Sequence, residues 1–111
     1  MGLSKDLVAA TAEPLVLSIL KQKESYGYAL IKEVQALSKG QVKWTEGMLY
    51  PVLHRLEANG FIKSSWKTTE TGRKRKYYKI MSKGMKALET RLSQWDLANS
   101  MLSSSRGTSR V

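Results

Sequence analysis

At 111 residues the chain has room for one domain with a modest core, and not for two. Its formal net charge is +10, and the excess is concentrated. Between positions 63 and 86, nine basic residues (Lys63, Lys67, Arg73, Lys74, Arg75, Lys76, Lys79, Lys83 and Lys86) meet a single acid, Glu70, so this window holds +8 of the +10. A patch of this kind implies a polyanionic partner, nucleic acid ahead of an anionic membrane; the plainer alternative is a solvated lysine face. The absence of cysteine excludes disulfides and thiolate metal sites. Lys5 and Asp6 break the apolar start, so there is no signal-peptide layout, and no apolar run approaches the roughly 20 residues that span a bilayer. The expectation is a cytoplasmic protein.

The first predicted helix is carried by Leu7, Val8, Leu15, Val16, Ile19 and Leu20, with Pro14 expected to end it or kink it because proline removes a hydrogen bond and crowds the preceding turn. Residues 21–25 are polar and read as a connection. Ser25 is then a candidate N-cap for a helix over 26–38, with apolar positions Tyr26, Leu30, Ile31, Val34 and Leu37, and Gly40 supplies the stop. Thr45 is the next N-cap candidate, with Glu46 favoured in the first turn. Leu49, Val52, Leu53 and Leu56 line one face of the helix that follows, and Asn59-Gly60 ends it. Pro51 predicts an irregular or 3₁₀ first turn, with the regular helix starting near Tyr50.

Residues 61–68 and 73–81 flank Glu70-Thr71-Gly72 as the two strands of a hairpin. The expected register sets Ile62 opposite Ile80, Ser64 opposite Tyr78 and Trp66 opposite Lys76, which allows a cation–π contact near the tip. Ser82 caps a last helix in which Met85, Leu88, Leu92, Trp95, Asn99 and Leu102 recur at alternating three- and four-residue steps, a heptad-like seam. The chain thus divides into a DNA-binding unit with its N-terminal helix over 1–81, a dimerisation helix over 82–102 and a frayed tail over 103–111. The fold class is mainly α with a β-hairpin wing: a winged helix-turn-helix followed by a C-terminal dimerisation helix.

With those elements placed, three motifs carry a resemblance: YGYAL (26–30), GMLYPVLHRLEANGFI (47–62) and GRKRKYYKI (72–80), followed by Ser82-Lys83-Gly84. In order and separation they resemble the PadR family of transcriptional regulators over about residues 15–92. Met48 replaces a threonine common in the family pattern, and Lys74 stands where a proline is often found. The resemblance implies a shorter-tailed member with a single C-terminal helix and, on that helix, an aromatic residue near the dimer axis that can stack on flat, hydrophobic effectors; two copies are expected because one helix-turn-helix buries too little to be selective. Trp95 fits that position; simple packing is its alternative.

Laid in a major groove with its N-terminal half leading, the helix over 45–59 would present Thr45, Met48, Tyr50, Pro51, His54 and Arg55, which lie off the apolar stripe. The hydroxyl at the helix start suits phosphate, whereas His54 or Arg55 could read bases. Tyr50 is the first choice, against a tyrosine packed on the wing. Lys67, Arg73, Lys74, Arg75 and Lys76 would contact phosphates or a minor groove, since four consecutive cations repel one another and a polyanion relieves that; edge-strand protection accounts for only one or two of them. Lys32 and Lys43 are further backbone candidates. Met85, Leu88, Leu92, Trp95, Asn99 and Leu102, helped by Leu3 and Leu7, would make the dimer.

His54 and Glu57 share a helical side, but with no second histidine and no cysteine they make no metal site. No catalytic grouping, phosphate-cradling loop or cofactor motif is found, so neither an enzyme nor a cofactor is expected. The partners expected are double-stranded DNA at a palindromic operator, a second copy of the chain and a small hydrophobic or aromatic effector, and no membrane, with repression as the mode. The alternative is a basic RNA- or anionic-partner-binding module without operator specificity, presenting Trp66, Tyr77 and Tyr78 on an open sheet.

Overall fold

A computed structural model describes residues 3–106. It contains α1 (Lys5–Gln22), β1 (Ser25–Tyr26), α2 (Gly27–Leu37), α3 (Glu46–Ala58), β2 (Ile62–Thr68), β3 (Lys74–Ile80) and α4 (Ser82–Ser105). The three strands form one antiparallel sheet in the order β1-β3-β2, and α4 packs on α1. This is a winged helix-turn-helix with a long C-terminal helix.

Ser4 starts α1, its Oγ accepting from the Leu7 N–H at 3.2 Å. The helix then continues past Pro14 rather than stopping there. The carbonyl that Pro14 cannot serve belongs to exposed Ala10 and is left to water, while the ring itself is buried against the core. Ser25 does not cap α2. It is buried in β1, opposite Tyr78, and Tyr26 occupies the cap position without a side-chain bond. The stop after α2 falls one residue before Gly40: Lys39 takes the left-handed conformation (φ 54°) and Gly40 follows it (φ 83°). The Gly40 N–H returns to the Gln35 carbonyl at 2.7 Å and the Lys39 N–H to that of Ala36 at 3.1 Å, closing the helix end.

Thr45 caps α3 as expected, its Oγ1 accepting from the Met48 N–H at 3.3 Å. The helix is regular from Glu46 onward, so the irregular turn expected from Pro51 is absent. The carbonyl deprived by Pro51 is that of Gly47, in the exposed first turn. At the far end Gly60 (φ 76°) lets the Phe61 N–H reach the Leu56 carbonyl at 2.9 Å. The hairpin register is the expected one, Ile62 opposite Ile80, Ser64 opposite Tyr78 and Trp66 opposite Lys76. Met81 rather than Ser82 precedes α4 as its cap, because its N–H is held by the Phe61 carbonyl at 2.9 Å. The helix continues through Ser103 and Ser104 to Ser105, where a frayed tail was expected; positions 107–111 of that tail lie outside the described residues.

The core joins Val16, Leu17 and Leu20 of α1, Leu30 and Val34 of α2, the four stripe residues of α3, Ile62 and Tyr78 of the hairpin and Leu88 of α4. Only the first half of α4 reaches it: from Leu92 to the last described residue every side chain is exposed. The join between α4 and the hairpin depends on Gly84. A Cβ there would lie 2.1 Å from the Phe61 carbonyl oxygen and 2.9 Å from Ile80 Cγ1. Gly84→Ala should therefore cost about 3 kcal/mol, as overpacking against backbone does. Gly47→Ala, whose Cβ would meet only Thr45 Oγ1 at 3.8 Å, should be neutral or stabilising by up to about 1 kcal/mol. Urea unfolding of both variants checks the contrast.

Candidate nucleic-acid interface

The apolar stripe of α3 faces inward, which leaves Thr45, Pro51, His54 and Arg55 exposed and Met48 44% exposed on the outer side. Tyr50 behaves differently. It is half-buried on the flank toward α2, with its hydroxyl over the first residue of that helix: a Cβ on Gly27 would come within 2.4 Å of Tyr50 Oη. Its ring lies 6.5 Å from that of His54. Tyr50 is thus half-buried beside α2, and the rest of it faces the cleft beside the wing.

Glu57 sets the angle between α3 and the hairpin. Its Oε2 accepts from the Ser64 hydroxyl at 2.6 Å and from the Ser64 N–H at 3.2 Å. The carboxylate is committed to β2 and is not paired with His54, and no cluster of potential metal ligands occurs among the described residues.

On the wing the cations are partly held by the protein itself. Arg75 lies 4.0 Å over the Tyr26 ring, Lys76 5.7 Å over Tyr78 and Lys67 5.2 Å over Tyr77, and Lys67 also pairs with Glu24. The cation–π contact expected between Trp66 and Lys76 is replaced by these tyrosine contacts, and Trp66 stands 66% exposed. Arg73 and Lys74 project into solvent beside the turn. The aromatics do not form an open platform, since Tyr78 is buried and Tyr77 meets Tyr26 edge-on at 5.3 Å. Between the wing and the first turns of α2 and α3 lies a cleft of about 530 Å³, walled by Tyr28, Glu46, Tyr50, Trp66 and residues 73–76. Tyr28 was missed in the sequence reading. It is exposed, with Lys32 5.5 Å over its ring, and its only sequence signal is the tyrosine pair around Gly27. Lys43 is exposed on the turn before α3.

Arg55 turns away from the outer face toward α1, its Nε donating to Glu13 Oε2 at 3.1 Å, while Arg91 Nη1 of α4 meets Glu13 Oε1 at 2.9 Å. Partial burial pushes the Glu13 carboxyl upward, but the hydrogen bonds and charges of the two guanidiniums outweigh it and hold the group below the ordinary carboxylate value.

Of the seam on α4, Leu88 is buried in the chain's own core, whereas Met85, Leu92, Trp95, Asn99 and Leu102 are exposed, together with Leu97 and Met101. Leu3 and Leu7 are exposed at the start of α1. Trp95, 38% exposed, stands on the open helix. An apolar hollow of about 560 Å³ lies elsewhere, between α1 and α3, around Val8, Trp44, Met48 and Pro51.

An exposed face on α3, a basic wing and a cleft from the wing to the first turns of α2 and α3 define the class as a winged helix-turn-helix protein. Residues 16–90 match the model of the transcriptional regulator PadR-like family, well over half of the chain, and the protein belongs to that family. It is a family of transcriptional regulators, not of enzymes. Among solved structures, the chain is similar to a transcriptional regulator from Clostridium thermocellum (30% identity, TM-score 0.84, covering 92% of this chain and 96% of that one). It is also similar to a PadR-like transcriptional regulator from Bacillus cereus (30% identity, TM-score 0.78, 90% and 95%). The transcriptional regulator Rv3488 of Mycobacterium tuberculosis is 39% identical over 69 residues, which are 61% of this chain and 64% of that protein. Among the described residues no helix is long and apolar enough to cross a membrane.

Two outcomes follow from the two carboxylates. Glu57→Ala leaves the Ser64 hydroxyl and N–H without their acceptor and should cost about 2 kcal/mol in urea unfolding, the range for hydrogen bonds to a charged group. For Glu13 the folded pKa lies below the unfolded one. Its contribution is therefore present above the ordinary carboxylate value and lost as pH falls through the folded value. The stability gap between wild type and Glu13→Gln should accordingly be widest near neutrality and close in strong acid.

Proposed function

We propose that the protein is a DNA-binding transcriptional repressor that occupies a two-fold operator as a homodimer. One observation carries the reading: the first turns of α3, through Glu46 and Tyr50, open on the same cleft as the Arg73–Lys76 segment of the wing. The outer face of α3 fits a major groove, with Thr45 and Met48 leading and His54 and Pro51 near the groove floor. Arg73 and Lys74, exposed at the wing turn, reach phosphates, and Arg75, Lys76 and Lys67 rest on tyrosine rings beside them. Lys32 and Lys43 add backbone contacts on the α2 side. Tyr50 supports the start of the groove-reading helix and offers its edge to the cleft.

Dimerisation is supported by the overhanging half of α4. Leu92, Trp95, Leu97, Met101 and Leu102 leave an apolar surface exposed among the described residues, and a folded domain seldom leaves one uncovered. A second copy would cover it along a heptad seam, with Asn99 in register and Leu3 and Leu7 at the margin. Such pairing makes a pocket out of the open surface at Trp95. A flat, hydrophobic effector lodged there would change the spacing of the two α3 helices and favour release.

With about five phosphates neutralised, the logarithm of the association constant should fall with the logarithm of salt at a slope of about −4 to −5. The double variant Arg73→Ala/Lys74→Ala should flatten that slope by about two units. Tyr50→Ala should lower affinity about tenfold or more, the scale of losing one specific contact, with the far-ultraviolet dichroism unchanged. Gel-shift titrations on fragments enriched from genomic DNA give the affinities. Unchanged binding in both variants would refute the assignment, and a monomer in sedimentation at micromolar concentration would refute the dimer.

A further inference from the structure

The reading helix, α1 and α4 meet at a single carboxylate. Glu13 is 19% exposed at its side chain and uses its two oxygens separately, Oε2 for Arg55 of α3 and Oε1 for Arg91 of α4. Arg55 is the last cation before the end of α3, on the flank toward α1, and its side chain remains 58% exposed. A long side chain in the last turn of a groove-reading helix lies beside the sugar–phosphate edge rather than over the bases. Here it points to Glu13 instead. Exposed ion pairs of this kind are weak, typically below about 1 kcal/mol, so the arrangement is easily exchanged for a phosphate.

We propose that Glu13 is a positioning residue of the DNA-reading surface: it holds the Arg55 guanidinium back against α1, and Arg91 competes for the same carboxylate, so the placement of α4 sets how much of Arg55 is free to meet a phosphate. This rests on the DNA-binding reading above. Three charges share the site, one negative and two positive. When Arg91 sits close, Glu13 is divided between two guanidiniums and its grip on Arg55 weakens. When α4 draws Arg91 away, the carboxylate falls to Arg55 alone and neutralises it. A displacement of α4 would thereby alter the charge that α3 offers to DNA, with no movement of α3 itself. The contact runs between residues 42 positions apart in the chain, and nothing in the sequence pattern marks it.

The test is a double-mutant cycle on the full chain, using a mixed-sequence duplex of about 30 base pairs, three helical turns, in gel-shift titrations over a series of salt concentrations. Glu13→Gln should tighten binding about three- to tenfold near 0.1 M salt and steepen the salt slope by about one unit, the signature of one added phosphate contact. In an Arg55→Ala background the same substitution should change neither affinity nor slope. Arg91→Met should weaken binding about two- to fivefold, the scale of one exposed ion pair, and should have no effect when combined with Glu13→Gln. Equal tightening by Glu13→Gln with and without Arg55 would mean a general charge effect and overturn the proposal, as would no tightening at all. If Glu13→Gln proved poorly folded, the Arg91→Met arm would decide, because a loss of affinity there with an unchanged slope rejects the same mechanism. Failure of this inference is distinct from failure of the DNA-binding reading. In the first case wild type binds duplex and the wing variants weaken it while the cycle is flat; in the second, wild type binds no duplex.

Discussion

A short amphipathic helix is free to rotate about its own apolar stripe unless something fixes its flank, and in this protein the Glu57 carboxylate does so. On one side Glu57 reaches from α3 to both donors of Ser64 and ties the helix to the root of the wing. On the other side Glu13 reaches from α1 to Arg55, an exposed and weaker tie. Four buried residues, Leu49, Val52, Leu53 and Leu56, supply the cohesion, but apolar burial is non-directional and does not choose an angle. Hydrogen bonds to charged groups do, because they weaken steeply with distance and orientation. The relation between the outward face of α3 and the basic strand beside it rests on the Glu57–Ser64 contact.

The wing shows how a run of four cations stands together without a polyanion. Mutual repulsion was the sequence-level argument for a nucleic-acid partner, and the structure relieves part of it internally. Arg75 and Lys76 alternate across β3 and rest on Tyr26 and Tyr78, whose ring faces carry negative potential. Lys67 finds Glu24 and Tyr77. Exposed Arg73 and Lys74 are the charges left over. The tyrosines therefore order the strand before any partner arrives, which lowers the entropy lost on association.

Much of the fold was legible because the physics behind it is local or periodic. The α3 stripe, the Thr45 cap and the register of Ile62 with Ile80 all follow from side-chain spacing and turn chemistry. What escaped was set by tertiary neighbours. Ser25 looked like a cap because a two-residue strand is too short to show alternation, and only the free edge of β3 turns it into one. Pro14 and Pro51 looked like breaks because their cost depends on whether the orphaned carbonyl meets water, as it does at Ala10 and Gly47. Within the site, the exposed residues of α3 were identifiable as a set. The inward turn of Arg55, the seat of Tyr50 on Gly27 and the place of Tyr28 in the cleft wall required knowing which helices touch.

Gly84 has a mechanical consequence. It brings α4 so close to the Phe61 backbone that the helix is pivoted at its first turn, while every side chain from Leu92 to Ser105 is exposed. A 24-residue helix is a stiff rod of about 36 Å, so a tilt of about 10° at that fulcrum would sweep the free tip through about 6 Å. The rod works as well in reverse: a tip held by a neighbouring rod would damp rocking at the pivot, and with it any loosening of the wing root that the same glycine abuts.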